Sequence, residues 1–384
     1  MEPGPQLVKI ESNNTLNGSD NLNLSSTNSL NTSLTKTKCN ILNISQELEE
    51  IIKAEKFNLT SEQKMELIKK EVQAREDFTL INAEQIKKFE KIGKGTFGEV
   101  FRASFGEVDV ALKELDVNMV FKNILTLLQE INMSILSYHP RVPKFHGVYF
   151  NNYVCLIFDL VKGKSLRQVA EERYKDNYKL KLDVLVQLVS IINDFHNDLK
   201  IIHRDLKPEN IIVNENNEVF LIDFGTSKVV SGDRTNTFDA KGTTIYMGPE
   251  NFKLRHDNED EEEGLDNKDN KDNKDNKDKD NKDNKIIDER PITISFSCDV
   301  WSLGCIISEI CSGIQPWKNF NPKKKNINSI VVMGYLSNEE KFPIPESLPE
   351  NLKELLSHCF KINPAERIKT SDLLQKLKEI RDGI

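Results

Sequence analysis

Apolar positions along this chain recur in blocks with helical or strand spacing, and those blocks predict its elements. Residues 1–43 show no such spacing. They are rich in Asn, Ser, Thr and Leu, bury too little apolar surface to offset the entropy of ordering, and are predicted to be disordered. From Ile44 the pattern changes. Ser45 precedes Leu48, Ile51 and Ile52 at helical spacing, and Thr60-Ser61-Glu62-Gln63 has the form of a capping box opening a second helix through Met65, Ile68 and Val72. Residues 44–82 therefore read as a short helical extension. The pattern leaves open whether this extension packs on the neighbouring domain, binds a partner or stays marginal.

A folded domain is predicted over 83–382. Val100 to Ala103 and Val110 to Lys113 read as strands. Phe121 to Ser137 reads as a helix, with Ile124, Leu127, Leu128, Ile131 and Ile135 as its apolar positions. Tyr153 to Phe158 is a buried strand and Leu180 to Leu199 a buried helix. Phe220-Leu221-Ile222 is a short buried strand, and Gly225 lets the backbone turn just beyond it. One tract interrupts the domain. Residues 254–285 form an acidic patch followed by repeated Asp-Asn-Lys, a composition that predicts a disordered insert.

Charge sharpens this division. The chain carries a formal charge of -8, and Asp257 to Lys285 alone holds 13 acidic and 7 basic residues. The remainder is close to neutral, which argues against a nucleic-acid-binding protein. Six cysteines show no C-x-x-C pair and suggest reduced thiols in a cytoplasmic protein. No run of 18 apolar residues predicts a membrane span, and the N-terminus lacks a secretory pattern.

The candidate chemistry lies in Ile201 to Gly225, where an apolar frame holds Asp205, Lys207, Asn210 and Asp223. Two carboxylates, an ammonium and an amide suit Mg²⁺ and phosphate, because hard cations take oxygen ligands and Mg²⁺ borrows phosphate oxygens.

At these residues the chain resembles the protein kinase family. His203-Arg204-Asp205 with Asn210 is similar to H-R-D-L-x-x-x-N, and Asp223-Phe224-Gly225 to D-F-G. Further matches follow the family's order. Gly93-Lys94-Gly95-Thr96-Phe97-Gly98 resembles the glycine-rich lid and runs on into a strand, whereas a dinucleotide fingerprint would open a helix. Val110-Ala111-Leu112-Lys113 resembles V-A-I-K, with Glu130 at the position of its helix partner. Gly242-Thr243 with Tyr246, Met247-Gly248-Pro249-Glu250, Ser297 to Gly304, and Arg367 complete the resemblance, which covers roughly residues 85 to 380. Two departures stand out: Ser134 where the family usually has an apolar side chain, and Arg141 where Asn is common.

The resemblance implies an α+β, two-lobed fold, a small antiparallel β-sheet lobe with a larger helical lobe, binding ATP between them. It implies that Ile92, Gly93, Lys94, Gly95, Thr96, Phe97, Gly98, Val100 and Ala111 enclose the nucleotide. Asp159 and Val161 would bind adenine through their backbone, behind a Phe158 gatekeeper. Lys113, oriented by Glu130, would hold the α- and β-phosphates, and Asn210 and Asp223 would hold Mg²⁺. Asp205 would orient the attacking hydroxyl and accept its proton, while Lys207 offsets charge on the transferred group. Glu250 would pair with Arg367, and the aspartate of the match at 297–304 would brace the catalytic loop.

Lys207-Pro208-Glu209 favours serine and threonine acceptors in protein substrates, and Gly163-Lys164-Ser165-Leu166 suggests the tyrosine-kinase-like group. Hydroxyls between Thr226 and Thr244 suggest activation by an upstream kinase at Thr237 or Thr235, with Ser231 next, the phosphate pairing with Arg204. A catalytically dead scaffold of this family would usually have lost Lys113, Asp205 or Asp223, and a small-molecule kinase would lack the full segment ending in Gly-Pro-Glu.

Overall fold

In this computed structural model the described residues are Ser45, Leu48, 59–75, 77–94, 98–230, Gly232, 234–237, 242–251, 292–318, 329–337 and 341–384. The disorder predicted for 1–43 and 254–285 thus lies outside the described residues, as do Ser231 and most of the first helix of the extension. The second helix is present as α1 (Ser61–Gln73), opened by a capping box between Thr60 and Gln63.

The small lobe is an antiparallel sheet of β1 (Ile86–Lys94), β2 (Gly98–Phe105), β3 (Val108–Leu115), β4 (Phe145–Phe150) and β5 (Val154–Asp159), in the order β1-β2-β3-β5-β4. Strand alternation decides which side chains reach the cleft. On β3, Val110 and Leu112 are fully buried on one face, so Ala111 and Lys113 point to the other. Glycine matters at Gly98, where a Cβ would stand 1.7 Å from the Glu114 carbonyl oxygen, so any side chain there would separate β2 from β3.

The helix predicted from Phe121 to Ser137 is two helices. α2 (Val117–Lys122) ends at Asn123, whose φ of -127° and ψ of 36° break the ladder before α3 (Ile124–Leu136). Apolar spacing is blind to this break, because the apolar stripe runs across it. Leu127, Leu128 and Ile131 are buried as predicted, whereas Ile135 is exposed.

The large lobe is helical. The short strand β6 (Lys164–Ser165) leads into α4 (Leu166–Glu172) and α5 (Tyr178–Asp194). Four more short strands come next: β7 (Ile201–Ile202), β8 (Ile211–Val213), β9 (Val219–Leu221) and β10 (Lys228–Val229). α6 (Ser297–Ser312) is buried from Cys298 to Ile310, with α7 (Ser329–Ser337), α8 (Glu350–Cys359) and α9 (Thr370–Asp382) around the same core. Trp301 anchors that core, its ring edge-on to Phe360 at 5.2 Å. No helix is long and apolar enough to cross a membrane among the described residues.

One ladder was not visible in the apolar pattern. β11 (Arg234–Thr237) pairs antiparallel with β12 (Ile292–Ser295), so the hydroxyl-rich segment is joined to the chain just beyond the insert. Replacing residues 256–285 with a short Gly/Ser linker would leave β12 intact. Each doubling of loop length costs only about 0.6 kcal/mol. The deletion should therefore barely move Tm in a thermal melt, and a loss of several kcal/mol would show that the tract packs on the domain.

Candidate active site

A cleft of ≈ 650 Å³ lies between the lobes, lined among others by Ile92, Gly93, Lys94, Val100, Ala111, Lys113, Glu130, Asp159, Val161, Lys207, Asn210 and Asp223. The sequence-predicted site residues therefore gather on one cavity, except Gly98, Asp205 and three others. Gly95, Thr96 and Phe97 lie outside the described residues. Gly98 opens β2, and Asp205 sits just beyond the cavity lining, 2.6 Å from Lys207 Nζ.

At the back of the cleft, Lys113 Nζ lies 2.5 Å from Glu130 Oε1 and 3.5 Å from Asp223 Oδ1. Burial alone would pull the Lys113 pKa down, but the two carboxylates outweigh it and hold the amine above the usual lysine range. The same ammonium holds the Asp223 carboxyl below the usual aspartate range, against its burial. Both groups are therefore charged at neutral pH. Asp223 sits at a φ of +67°, and Phe224 beside it is buried against His203, ring centroids 5.2 Å apart. Non-glycine residues held at positive φ carry strain that the surroundings must offset, and Arg204, at +71°, is a second case.

The catalytic-loop match is braced from below. The buried Asp299 carboxylate of α6 accepts from the backbone N–H groups of His203 (2.8 Å) and Arg204 (2.9 Å), and from His196 Nε2 (2.9 Å). Burial would raise the Asp299 pKa, yet the hydrogen bonds it accepts, from the His196 ring first and then from the His203 backbone, help hold the group below its ordinary range. Above this brace, the Asp205 carboxylate accepts from Lys207 Nζ (2.6 Å), Thr243 Oγ1 (2.7 Å) and Asn210 Nδ2 (3.2 Å). Asn210 Nδ2 also donates to the Asp205 carbonyl oxygen at 2.8 Å, which fixes how the amide is turned.

Glu250 and Arg367 meet as a buried two-point pair, both contacts 2.6 Å. The departures are accommodated. Ser134 Oγ donates to the Glu130 carbonyl oxygen at 2.8 Å, and Arg141 pairs with Glu218 at 2.9 Å. Phe158 lines the cleft and leans on Phe145, centroids 5.3 Å apart.

Two contacts escaped sequence reasoning. Gln129 Nε2 donates to the Ser227 carbonyl oxygen at 2.7 Å, tying α3 to the stretch after Asp223. Arg167 of α4 bonds Glu209 (2.7 Å), Glu309 and the Tyr246 hydroxyl (2.7 Å), joining four separate segments. Nothing in local spacing marks Arg167, because its partners are 42 to 142 residues away.

Lobes, cleft and the braced loop define the class: a two-lobed α+β protein kinase fold. The protein kinase domain family matches residues 86–263 and 283–377. This is more than half the chain, and the chain belongs to that family. Among curated proteins it is 25% identical over 309 residues to a probable LIM domain-containing serine/threonine-protein kinase of Dictyostelium discoideum, covering 79% of this chain and 40% of that protein. It is 25% identical over 300 residues to cell division control protein 7 of Schizosaccharomyces pombe, covering 77% and 24%. It is 26% identical over 311 residues to a mitogen-activated protein kinase kinase kinase of Drosophila melanogaster, covering 76% and 22%. The chain thus spans less than half the length of each of these relatives.

Proposed function

We propose that this chain is an ATP-dependent protein kinase that transfers the γ-phosphoryl group to serine or threonine hydroxyls of protein substrates. The observation that carries the reading is the closed Lys113–Glu130 pair on the same cleft as Asp223 and Asn210, with Asp205 beside it. Phosphoryl transfer needs little covalent chemistry from the protein, so placement and charge decide its rate. Lys113, kept charged by its two carboxylates, would hold the α- and β-phosphates. Asp205 would orient the substrate hydroxyl and accept its proton, a role its contact with the exchangeable Thr243 hydroxyl supports. Lys207, 2.6 Å from Asp205, would offset charge developing on the transferred group.

Asp223 and Asn210 offer an ionised carboxylate and an amide oxygen on one cavity, a donor set that fits Mg²⁺. When bound, Mg²⁺ would neutralise phosphate charge. Asp159 and Val161 line the same cleft, where their backbone would meet adenine. The serine/threonine preference rests on Lys207-Pro208-Glu209 and on relatives named as serine/threonine-protein kinases. A cytoplasmic location is supported by the free thiols of Cys155, Cys298, Cys305, Cys311 and Cys359.

Incubation of the full chain with γ-labelled ATP and a mixed Ser/Thr/Tyr peptide library tests the reading. Label should appear on serine or threonine and vanish on chelation of divalent metal. Label confined to tyrosine, or none at all, would overturn it.

The proposed regulatory hydroxyls are placed unequally. Thr237 is buried in the β11–β12 ladder opposite Ile292, while Thr235 is half-buried. A phosphate adds roughly -1.5 to -2 charge, so modification of Thr237 would require β11 to leave β12. Substituting Ala at both Thr235 and Thr237 should lower activity several-fold if an upstream kinase acts here. Full activity in that variant, with no phosphate on the wild-type segment by mass spectrometry, would remove this layer of control.

A further inference from the structure

The amphipathic segment ahead of the domain has no part in phosphoryl transfer as described, yet it is built into the small lobe. Ile68 and Val72 of α1 are fully buried and Met65 nearly so. They share one apolar cluster with Leu48, with Val117, Val120 and Phe121 of α2, and with Ile124, Leu127, Leu128 and Ile131 of α3. Polar contacts fix the docking. Lys64 Nζ donates to Asn118 Oδ1 of α2 at 2.9 Å. The buried Glu71 pairs with Arg75 at 3.2 Å and accepts from the Ser45 N–H at 3.0 Å.

A second attachment lies at residues 79–81. The Val148 N–H of β4 donates to the Thr79 carbonyl oxygen, and the Ile81 N–H donates to the Val148 carbonyl oxygen, both at 2.8 Å. Leu80 thereby forms a parallel bridge on the outer edge of the sheet. Position 147 is shaped for this approach. Gly147 has a φ of +151°, and a Cβ there would stand 2.4 Å from the Thr79 oxygen. The domain thus carries a glycine where the extension crosses it.

Of the two attachments, α1 is the one that holds the α2–α3 unit, while residues 79–81 tie the extension to β4. Because the ladder breaks at Asn123, continuity with α2 does not set where α3 lies; its flanks must. One flank, Leu127, Leu128 and Ile131, belongs to the cluster that α1 completes. Beside it stand Glu130, on Lys113, and Gln129, on Ser227. We propose that α1, tethered to the sheet edge through residues 79–81, is a positioning element of the active site, which fixes the α2–α3 unit so that Glu130 stays on Lys113. This deepens, and rests on, the phosphoryl-transfer reading. A loss of α1 contacts would free α3 without touching any group that meets substrate.

The test compares three full-length variants with wild type. Ile68→Ser with Val72→Ser strips the docking stripe, and Ile68→Leu with Val72→Ile restores its apolar character. Leu377→Ala, in α9 of the large lobe, is the control for stability alone. Steady-state kinetics for ATP and amide hydrogen exchange over α3 are read well below every melting temperature. The double serine variant should lose roughly tenfold in kcat, within the range of coupling through packed elements, and exchange faster across residues 129–134. The conservative variant should recover both, and Leu377→Ala should keep both despite a lowered Tm. Unchanged kcat and exchange in the serine variant, or an equal loss in Leu377→Ala, would overturn the proposal. If the double serine variant does not fold, Ile68→Ala carries the same comparison. Should wild type transfer no phosphate, the functional reading fails, while the exchange data still decide whether α1 fixes α3.

Discussion

Lys113→Met should abolish phosphoryl transfer while the chain still folds. The amine is the cationic centre at the back of the cleft, 2.5 Å from Glu130 and 3.5 Å from Asp223. Methionine keeps the length of the side chain and removes its charge. Losing one preorganised group that stabilises transition-state charge costs about 10²–10³-fold in kcat, and this lysine is asked to orient the phosphates as well. The fold should survive, because burial already pushes the Glu130 carboxyl up against the pull of Lys113, so without the lysine it can take a proton instead of remaining an unpaired buried charge. Activity assays and thermal melts on the same preparation check both halves. A folded variant with near-wild-type activity would take Lys113 out of its assigned role.

Arg367→Ala should have the largest effect on stability. The guanidinium is wholly buried, holds both Glu250 oxygens at 2.6 Å, and also donates to the carbonyl oxygens of Lys361 (2.8 Å) and Ser297 (3.0 Å). It lies 4.9 Å from the centre of the Trp301 ring, so truncation also opens the aromatic core. Removing one partner of a buried pair typically costs about 3–5 kcal/mol, because the other charge is left behind. The pH dependence has a definite sign. Burial would raise the Glu250 pKa, but Arg367 outweighs it and holds the carboxyl below its ordinary range. The pair's contribution is therefore complete at neutral pH and is lost as pH falls through that depressed value. Chemical unfolding should show the full gap between variant and wild type near pH 7, narrowing in acid. A gap under about 1 kcal/mol at neutral pH would contradict the buried pairing.

The parts of this site that could be read from the sequence are those whose chemistry demands close spacing. Asp205, Lys207 and Asn210 share one loop, and Asp223 follows one short strand, so a local motif captures all four. Lys113 and Glu130 were legible through the resemblance to V-A-I-K and its helix partner, with the strand and helix periods placing each on its element. What remained hidden depends on distant partners. The apolar stripe of α1 announces that something covers it, but not that α2 and α3 do. The hydroxyl-rich segment reads as polar loop, since β12, which pairs with β11, lies beyond the insert. Arg167 and Gln129 are ordinary helical residues until the fold brings Glu209, Glu309 and Ser227 to them. The break at Asn123 was invisible because backbone angles, not side-chain spacing, make it.

If this chain moves phosphate from ATP to protein hydroxyls through the loop braced by Asp299, the reaction must depend on Asp205. Phosphopeptide mass spectrometry reads this on a Ser/Thr/Tyr library incubated with ATP and either wild type or Asp205→Asn, the two matched for folding by thermal melts. Wild type should yield phosphoserine or phosphothreonine, and Asp205→Asn almost none. Equal phosphorylation by both proteins, or none by a folded wild type, would contradict the proposed activity.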